Sequence, residues 1–269
     1  MDSKFTIGAV CFMIIWLALI RKSQGADINV IKYGAAYQKK KKKKKNGAKA
    51  DGKPDDRQAI TSTWKEACTS TDPSTVVIPK RKHMVGPLNF QGPCKASVSI
   101  LVQGYMVAPI DLNKFNPQDH WTVFQNIDGL MVSGGGTFDG QGSLAWSQNN
   151  CAKTGICDSL PINLRFTGVT NSKIQDITSL NSKSFHMNIL NSKNVTLQNI
   201  TINAPGKSLN TDGIHIGRSS RINITHADIK TGDDCVSLGD GSQQINVENM
   251  TCGPGHGISV GSLGKYHNE

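Results

Sequence analysis

Positive charge looks abundant in this chain, yet most of the chain lacks it. The formal net charge is +10 over 269 residues. Seven lysines stand in one unbroken run, Lys39 to Lys45, and setting aside that run and the first 25 residues leaves +1. A basic face for nucleic acid is therefore not expected. Aromatic residues are scarce at 6%, too few for the stacking platforms that hold single strands. Charged residues make up only 19%, against 27 glycines. That balance excludes a helical bundle and favours many short strands and turns. The longest apolar run near the N-terminus, Gly8 to Ile20, has 13 residues, short of the ~20 that span a bilayer. No C-x-x-C pair is present, which removes the usual zinc ligand spacing.

What is there points first to export. Lys4 precedes the apolar run, and Ser23-Gln24-Gly25 offers small residues for a cut before Ala26, the pattern of a secretory signal peptide over 1–25. Cys11 would leave with it. Cys68, Cys94, Cys151, Cys157, Cys235 and Cys252 would remain, an even set suited to an oxidising compartment. Sequence order suggests 68–94, 151–157 and 235–252, although fifteen pairings are formally possible. Sequons at Asn194, Asn199, Asn223 and Asn249 also fit secretion, with glycosylation expected at two of them.

Residues 26–269 read as one domain with a lysine-rich insertion at about 37–46. Such a homopolymer repels itself and cannot pack. Pro54-Asp55-Asp56 opens the one expected helix, with carboxylates at the positive end of its dipole and Ile60, Trp64 and Ala67 as its apolar stripe. After Val169 a repeat emerges. Asp176-Ile177, Asn199-Ile200, Asp228-Ile229 and Asn249-Met250 recur at spacings of 23, 29 and 21, with polar turns such as Asn171-Ser172-Lys173, Asn191-Ser192-Lys193 and Ser219-Ser220-Arg221 between them. Strands of three to five residues at that period predict an all-β fold, a right-handed parallel β-helix, whose open end the N-terminal helix would cover. Asp176 and Asn194 fall in the turn-like part of the repeat and are expected to be structural.

Three motifs stand out at the coil period: Asn210-Thr211-Asp212-Gly213, Gly232-Asp233-Asp234-Cys235 and Gly255-His256-Gly257. One coil returns the chain to the same face about 4.8 Å along the stack. Asp212, Asp233, Asp234 and His256 are therefore expected on one patch, with no Lys or Arg inside the motifs. Packed carboxylates repel, so one of them should hold a proton near neutral pH. An acid and a base side by side are the equipment of glycoside hydrolysis. Singly, each residue has a plainer reading as a turn residue or loop histidine, and a calcium site of Asp212, Asp233 and Asp234 is the alternative for the group. No cofactor and no metal are expected.

The motifs N-T-D-G, G-D-D-C and C-G-P-G-H-G-I-S-V-G-S-L-G resemble those of the polygalacturonase family of pectin hydrolases. Lys49-Ala50-Asp51-Gly52 and Cys151-Ala152-Lys153-Thr154-Gly155 resemble plant exopolygalacturonases in particular. The resemblance runs from about Asp27 to the last residue, broken by the lysine run. It implies a right-handed parallel β-helix and inverting cleavage of α-1,4-linked galacturonan. By it, Asp233 is the proton donor, Asp212 and Asp234 hold the water, His256 positions the acid, and Asn210 lies at the substrate. The family's cysteine pair maps onto Cys235 and Cys252. Its downstream R-I-K motif, whose cations take the substrate carboxylate, is absent before Glu269. Lys265 is a partial stand-in, and reduced activity is expected of the chain as it stands. The expected partner is pectin or polygalacturonate, met by a secreted monomer at the cell wall, with no nucleic acid and no membrane after signal cleavage. The alternatives are an inactive fragment or pectin-binding paralogue and, from another enzyme class, a calcium-dependent pectate lyase, which would need an arginine base that the motifs lack.

Overall fold

A computed structural model describes residues 25–35, 55–116, 120–150, 154 and 159–261. The signal-peptide segment up to 24, the 37–46 insertion, Cys151, Cys157 and Lys265 lie outside the described residues. No described helix is long and apolar enough to cross a membrane.

The described residues coil into a right-handed parallel β-helix, as the repeat predicts. Every strand pairing is parallel, in a broad sheet of twelve strands and a narrow sheet of seven. The narrow sheet runs Leu88–Gln91, Thr122–Gln125, Leu164–Thr167, Met187–Leu190, Ile214–Gly217, Val236–Leu238 and Ile258–Val260, each strand paired with the next. Because side chains alternate across a strand, each coil delivers one residue to the same inner column. Phe90, Phe124 and Phe166 occupy it on successive rungs and stack at ring centroids of 5.0 and 4.7 Å. Ile189, Ile216, Leu238 and Val260 continue the column in register. Ile258 and Val260 are 55% and 60% exposed.

Three strands of the broad sheet, Thr170–Leu180, Lys193–Asn203 and Ser220–Lys230, have 11 residues each, longer than the three to five expected. Each bends without leaving its ladder, because two residues adopt a left-handed backbone: one near the start, Asn171, Asn194 and Arg221, and one in the middle, Asp176, Asn199 and His226, the latter at φ of 52°, 52° and 56°. Asn and Asp tolerate that region best among residues with a Cβ. Asn199 donates to Asp176 Oδ1 at 2.9 Å and Asn194 to Asn171 Oδ1 at 2.7 Å, so these amides form ladders along the stack. Asp176 and Asn194 are thus turn residues. The bend in the third strand is His226-Ala227, however, not Asp228-Ile229. Ile200 pairs with Ala227, and Thr201 with Asp228. A longer loop, 204–213, adds residues before that strand, and the dipeptide match absorbed the offset by slipping two places.

Helix α1, Arg57–Thr69, buries Ala59, Ile60, Thr63, Trp64, Ala67 and Cys68. Trp64 packs edge-on to Phe90 at 5.1 Å and donates to Gln91 O at 3.2 Å, so the helix covers the first rungs. A Cys68–Cys94 disulfide ties it down. The two acids before it do not serve the helix alike. Asp55 accepts from Arg57 N at 2.9 Å and Gly86 N at 3.0 Å. Asp56 makes no side-chain cap. Its carboxylate meets His83 Nδ1 at 2.7 Å, both groups buried, while His83 Nε2 lies 3.0 Å from Pro79 O. A second helix, α2, Ser143–Gln148, has no periodic apolar stripe and was not expected from the sequence.

Candidate active site

The turn entering each narrow-sheet strand builds the site. Asp212, Asp234 and His256 each stand two residues before a strand: Ile214–Gly217, Val236–Leu238 and Ile258–Val260. These strands pair Ile214 with Val236 and Val236 with Ile258, so the three residues occupy one station on consecutive rungs. Gly213 N donates to Asp234 O at 2.8 Å across the first two turns. The turns are pinned from behind. Thr211 Oγ1 accepts from Gly232 N at 3.1 Å and meets Thr231 Oγ1 at 2.8 Å. A Cβ on Gly232 would stand 2.0 Å from Ser208 O, so glycine is required for the close approach. The Cys235–Cys252 disulfide closes the third turn.

Asp212 is the most enclosed of the acids, at 7% exposure. Its carboxyl is pushed up to about 7, first by burial and then by the charges of Asp233 and Asp234, with the Ser237 hydrogen bond pulling the other way. This is the raised carboxyl expected of the cluster. Ser237 Oγ donates to Asp212 Oδ2 at 2.8 Å and lies 2.8 Å from His215 Nδ1. A hydroxyl has one proton, so His215 carries its proton on Nδ1 and donates to Ser237. Burial lowers the His215 pKa, which keeps the ring neutral. Ser259 Oγ donates to Asp234 Oδ2. Asp233 Oδ1 accepts from Asp234 N at 2.9 Å and faces His256 Nδ1 at 3.4 Å. Asp233 and Asp234 side chains are 26% and 21% exposed, and His256 is 66% exposed.

These groups open on a cleft of about 490 Å³ lined by Asn210, Asp212, Asp233 and Asp234, as expected, and also by Phe185, Asn188, His215, Arg218, Ser237 and Asp240. The last six were not picked out from the sequence. Phe185 stands two residues before Met187–Leu190, at the station that Asp212 and Asp234 occupy, and its ring lies 5.3 Å from His215. The coil period could have found it. Arg218 brings a cation to a cleft whose motifs contain none. Among the described residues, those that offer metal-ligand atoms within 4.8 Å of one another are Asp233, Asp234 and His256. Asp212 is not among them, and an imidazole is a poor ligand for calcium, so the calcium reading loses its expected donor set.

The family model for glycosyl hydrolases family 28 matches residues 68–269. An exopolygalacturonase of Arabidopsis thaliana is 58% identical over 225 residues, 83% of this chain and 50% of that protein. An exopolygalacturonase of Oenothera organensis is 54% identical over 80% of this chain and 59% of its own length. The chain therefore spans little more than half of these relatives. Among solved structures, the endo-xylogalacturonan hydrolase of Aspergillus tubingensis superposes with a TM-score of 0.71 at 30% identity, over 81% of this chain and 59% of that one. The exopolygalacturonase of Thermotoga maritima, at 16% identity, shares the fold with a TM-score of 0.66, over 87% of this chain and 62% of that one. With a parallel β-helix, three acids and a histidine on consecutive rungs, and a family model that covers three quarters of its length, the chain belongs to glycosyl hydrolases family 28.

Proposed function

We propose that this chain hydrolyses α-1,4-galacturonosidic bonds of polygalacturonate from a chain end, with inversion, as a secreted monomer acting at the cell wall. The observation that carries the reading is the stacked acid station, with one carboxyl held up to about 7 beside two others. Support for the substrate and for end-wise cleavage comes from the plant relatives, whose names are exopolygalacturonase. The expected signal segment, the cysteine pairs and the sequons support export. Asp233, the acid with the most open carboxylate, donates its proton to the glycosidic oxygen. Asp234 and Asp212, anchored by Ser259 and Ser237, hold the water that attacks from the other face. His256 orients Asp233. Asn210 and the Phe185 ring bound the sugar.

One observation favours a second assignment of the acid. Burial makes Asp212 the group that keeps a proton below about pH 7, so Asp212 would be the donor and the Asp233–Asp234 pair the base. Loss of the acid is rescued by a leaving group that needs no proton, whereas loss of the base is not. Asp233→Asn is expected to lose at least about 10²-fold in release of galacturonic acid from polygalacturonate, and to recover most of its rate on an aryl galacturonoside with an acidic phenol. Recovery by Asp212→Asn instead would assign the proton to Asp212. Full activity of Asp233→Asn on the polymer would overturn the role of Asp233, and no release of galacturonic acid by the parent would overturn the hydrolase reading.

A further inference from the structure

A second cavity, of about 450 Å³, opens on the same face of the same sheet. Its lining includes Arg57, Asn89, His120, Val123, Gln125 and Arg165. Asn89, Val123 and Arg165 are partners on successive rungs of the narrow sheet, and Arg165 pairs onward with Asn188, then His215, then Ser237. All of them point outward from the core column. Asn188 lines the acidic cleft and Arg165 lines this one, so the two cavities meet at adjacent rungs. His120 stands two residues before Thr122–Gln125, at the station that carries Phe185, Asp212, Asp234 and His256 on later rungs. With rungs about 4.8 Å apart, Arg165 lies two rungs, or about 10 Å, from the level of Asp212.

The charge inverts along this face. The acidic end carries Asp212, Asp233, Asp234 and Asp240, with Arg218 among them. The other end carries Arg165 and Arg57, with His120 as the hydrogen-bond partner of Arg165. Arg165 is half-buried, and that burial lowers its pKa. Its hydrogen-bond partners are Thr167 Oγ1, at 3.2 Å, and His120 Nε2. Among the described residues no carboxylate pairs with it. Among the described residues Arg57 is ion-paired only with exposed Asp55, at 3.7 Å. A half-buried guanidinium that shares its cavity with a histidine and a second arginine is uncompensated among the described residues. Its planar fork matches a carboxylate.

We propose that Arg165, with Arg57 at the rim, is an anion subsite that receives the carboxylate of a uronate unit in the oligosaccharide whose bond lies over Asp212 and Asp234. The assignment rests on the polygalacturonate reading and deepens it. Acids at the reacting rungs repel every charged unit of such a polymer, and a cationic station two rungs away offsets that repulsion and fixes the register. A neutral sugar chain gains nothing from it.

Binding of trigalacturonate and of its carboxyl-reduced, neutral counterpart is measured by calorimetry in an Asp233→Asn background, which prevents turnover. The background is expected to prefer the charged trimer, and Arg165→Gln is expected to weaken that trimer about tenfold or more, the scale of a lost charge-assisted bond, leaving the neutral trimer unchanged. Arg57→Gln, at a position with a 53% exposed side chain, is expected to weaken only the charged trimer, by about two- to threefold. Equal losses for both trimers, or no loss for either, overturn the proposal. Inorganic phosphate that binds as tightly as the trimer and is lost with Arg165 makes this a small-anion site and also overturns it. Hydrolysis by the parent with an Arg165-independent KM sinks the subsite and spares the hydrolase. Arg165-dependent binding without release of galacturonic acid does the reverse.

Discussion

At the residue scale, Asp212 carries the clearest linkage between site chemistry and stability. Its folded pKa of about 7 lies above the ordinary 3.8. Between those values the folded chain holds a proton that the unfolded chain has released, so stability falls as pH rises through that window. Asp212→Asn keeps the Ser237 hydrogen bond and removes the ionisation. It is expected to stabilise the protein at pH 8 by on the order of 2–4 kcal/mol, with the gain vanishing near pH 4. Denaturant unfolding at the two pH values checks this. A variant less stable at pH 8 would show that the cavity pays no ionisation cost. Asp212, Asp233, Asp234 and His256 were legible in the sequence because their motifs recur at 22-residue intervals, near the coil period. Arg165 and His120 were not, because the coils that carry them differ in length: Thr122 to Leu164 spans 42 residues, whereas Leu164 to Met187 spans 23.

At the element scale, α1 shows how a helix signal can be right while its reason holds for only one of two residues, Asp55. Pro54-Asp55-Asp56 marks the start, and the helix is there. The carboxylate of Asp56, however, turns inward to His83 and joins the helix entrance to the strand Lys82–Met84. Both ring nitrogens of His83 face acceptors. Removing the carboxylate leaves one nitrogen of a buried ring without its hydrogen-bond partner. Asp56→Ala is expected to cost about 2–3 kcal/mol, as for a buried group that loses a hydrogen bond to a carboxylate, whereas Asp55→Ala, with a 43% exposed side chain, is expected to cost about 1 kcal/mol as a cap loss. Paired thermal melts read the difference, and equal shifts would mean that the His83 contact adds nothing. The left-handed corners belong to this scale too. Asn171, Asn191 and Asn199 could be read as turns from residue type alone, but the third corner falls on His226, a residue type whose weaker preference for that backbone region does not mark a turn by itself.

At the scale of the whole molecule, the coils are coupled through columns that no single strand specifies. The Phe90, Phe124 and Phe166 stack runs directly beneath Asn89, Val123 and Arg165, so the core column and the outer binding face are opposite sides of the same rungs. Phe124→Ala removes the middle ring of the stack and is expected to destabilise the protein by about 3–5 kcal/mol. A solenoid transmits such a defect to neighbouring rungs, so hydrogen exchange should quicken in Leu88–Gln91 and Leu164–Thr167 before it does in Val236–Leu238. Uniform quickening would mean that the stack unfolds as one unit.

The tripeptide Asn-Ser-Lys occurs at 171–173, 181–183 and 191–193, and it separates what sequence decides from what structure decides. In all three the Asn is left-handed, at φ of 49°, 45° and 50°, because its short polar side chain lowers the cost of that backbone region wherever the chain must turn. In all three the Ser is buried. Lys173 is half-buried and Lys193 exposed, as a solvated turn predicts. Lys183 is buried, donates to Pro109 O at 2.8 Å and to Gly140 O, lies 5.2 Å from the Phe115 ring, and has its pKa lowered to about 8 by burial. Local residue type marked most of the corners and the repeat, and hence the β-helix and the acid station at its period. Where each lysine, arginine and histidine ended depended on which distant coil lay one rung away, and coil lengths vary too much for spacing to reveal that.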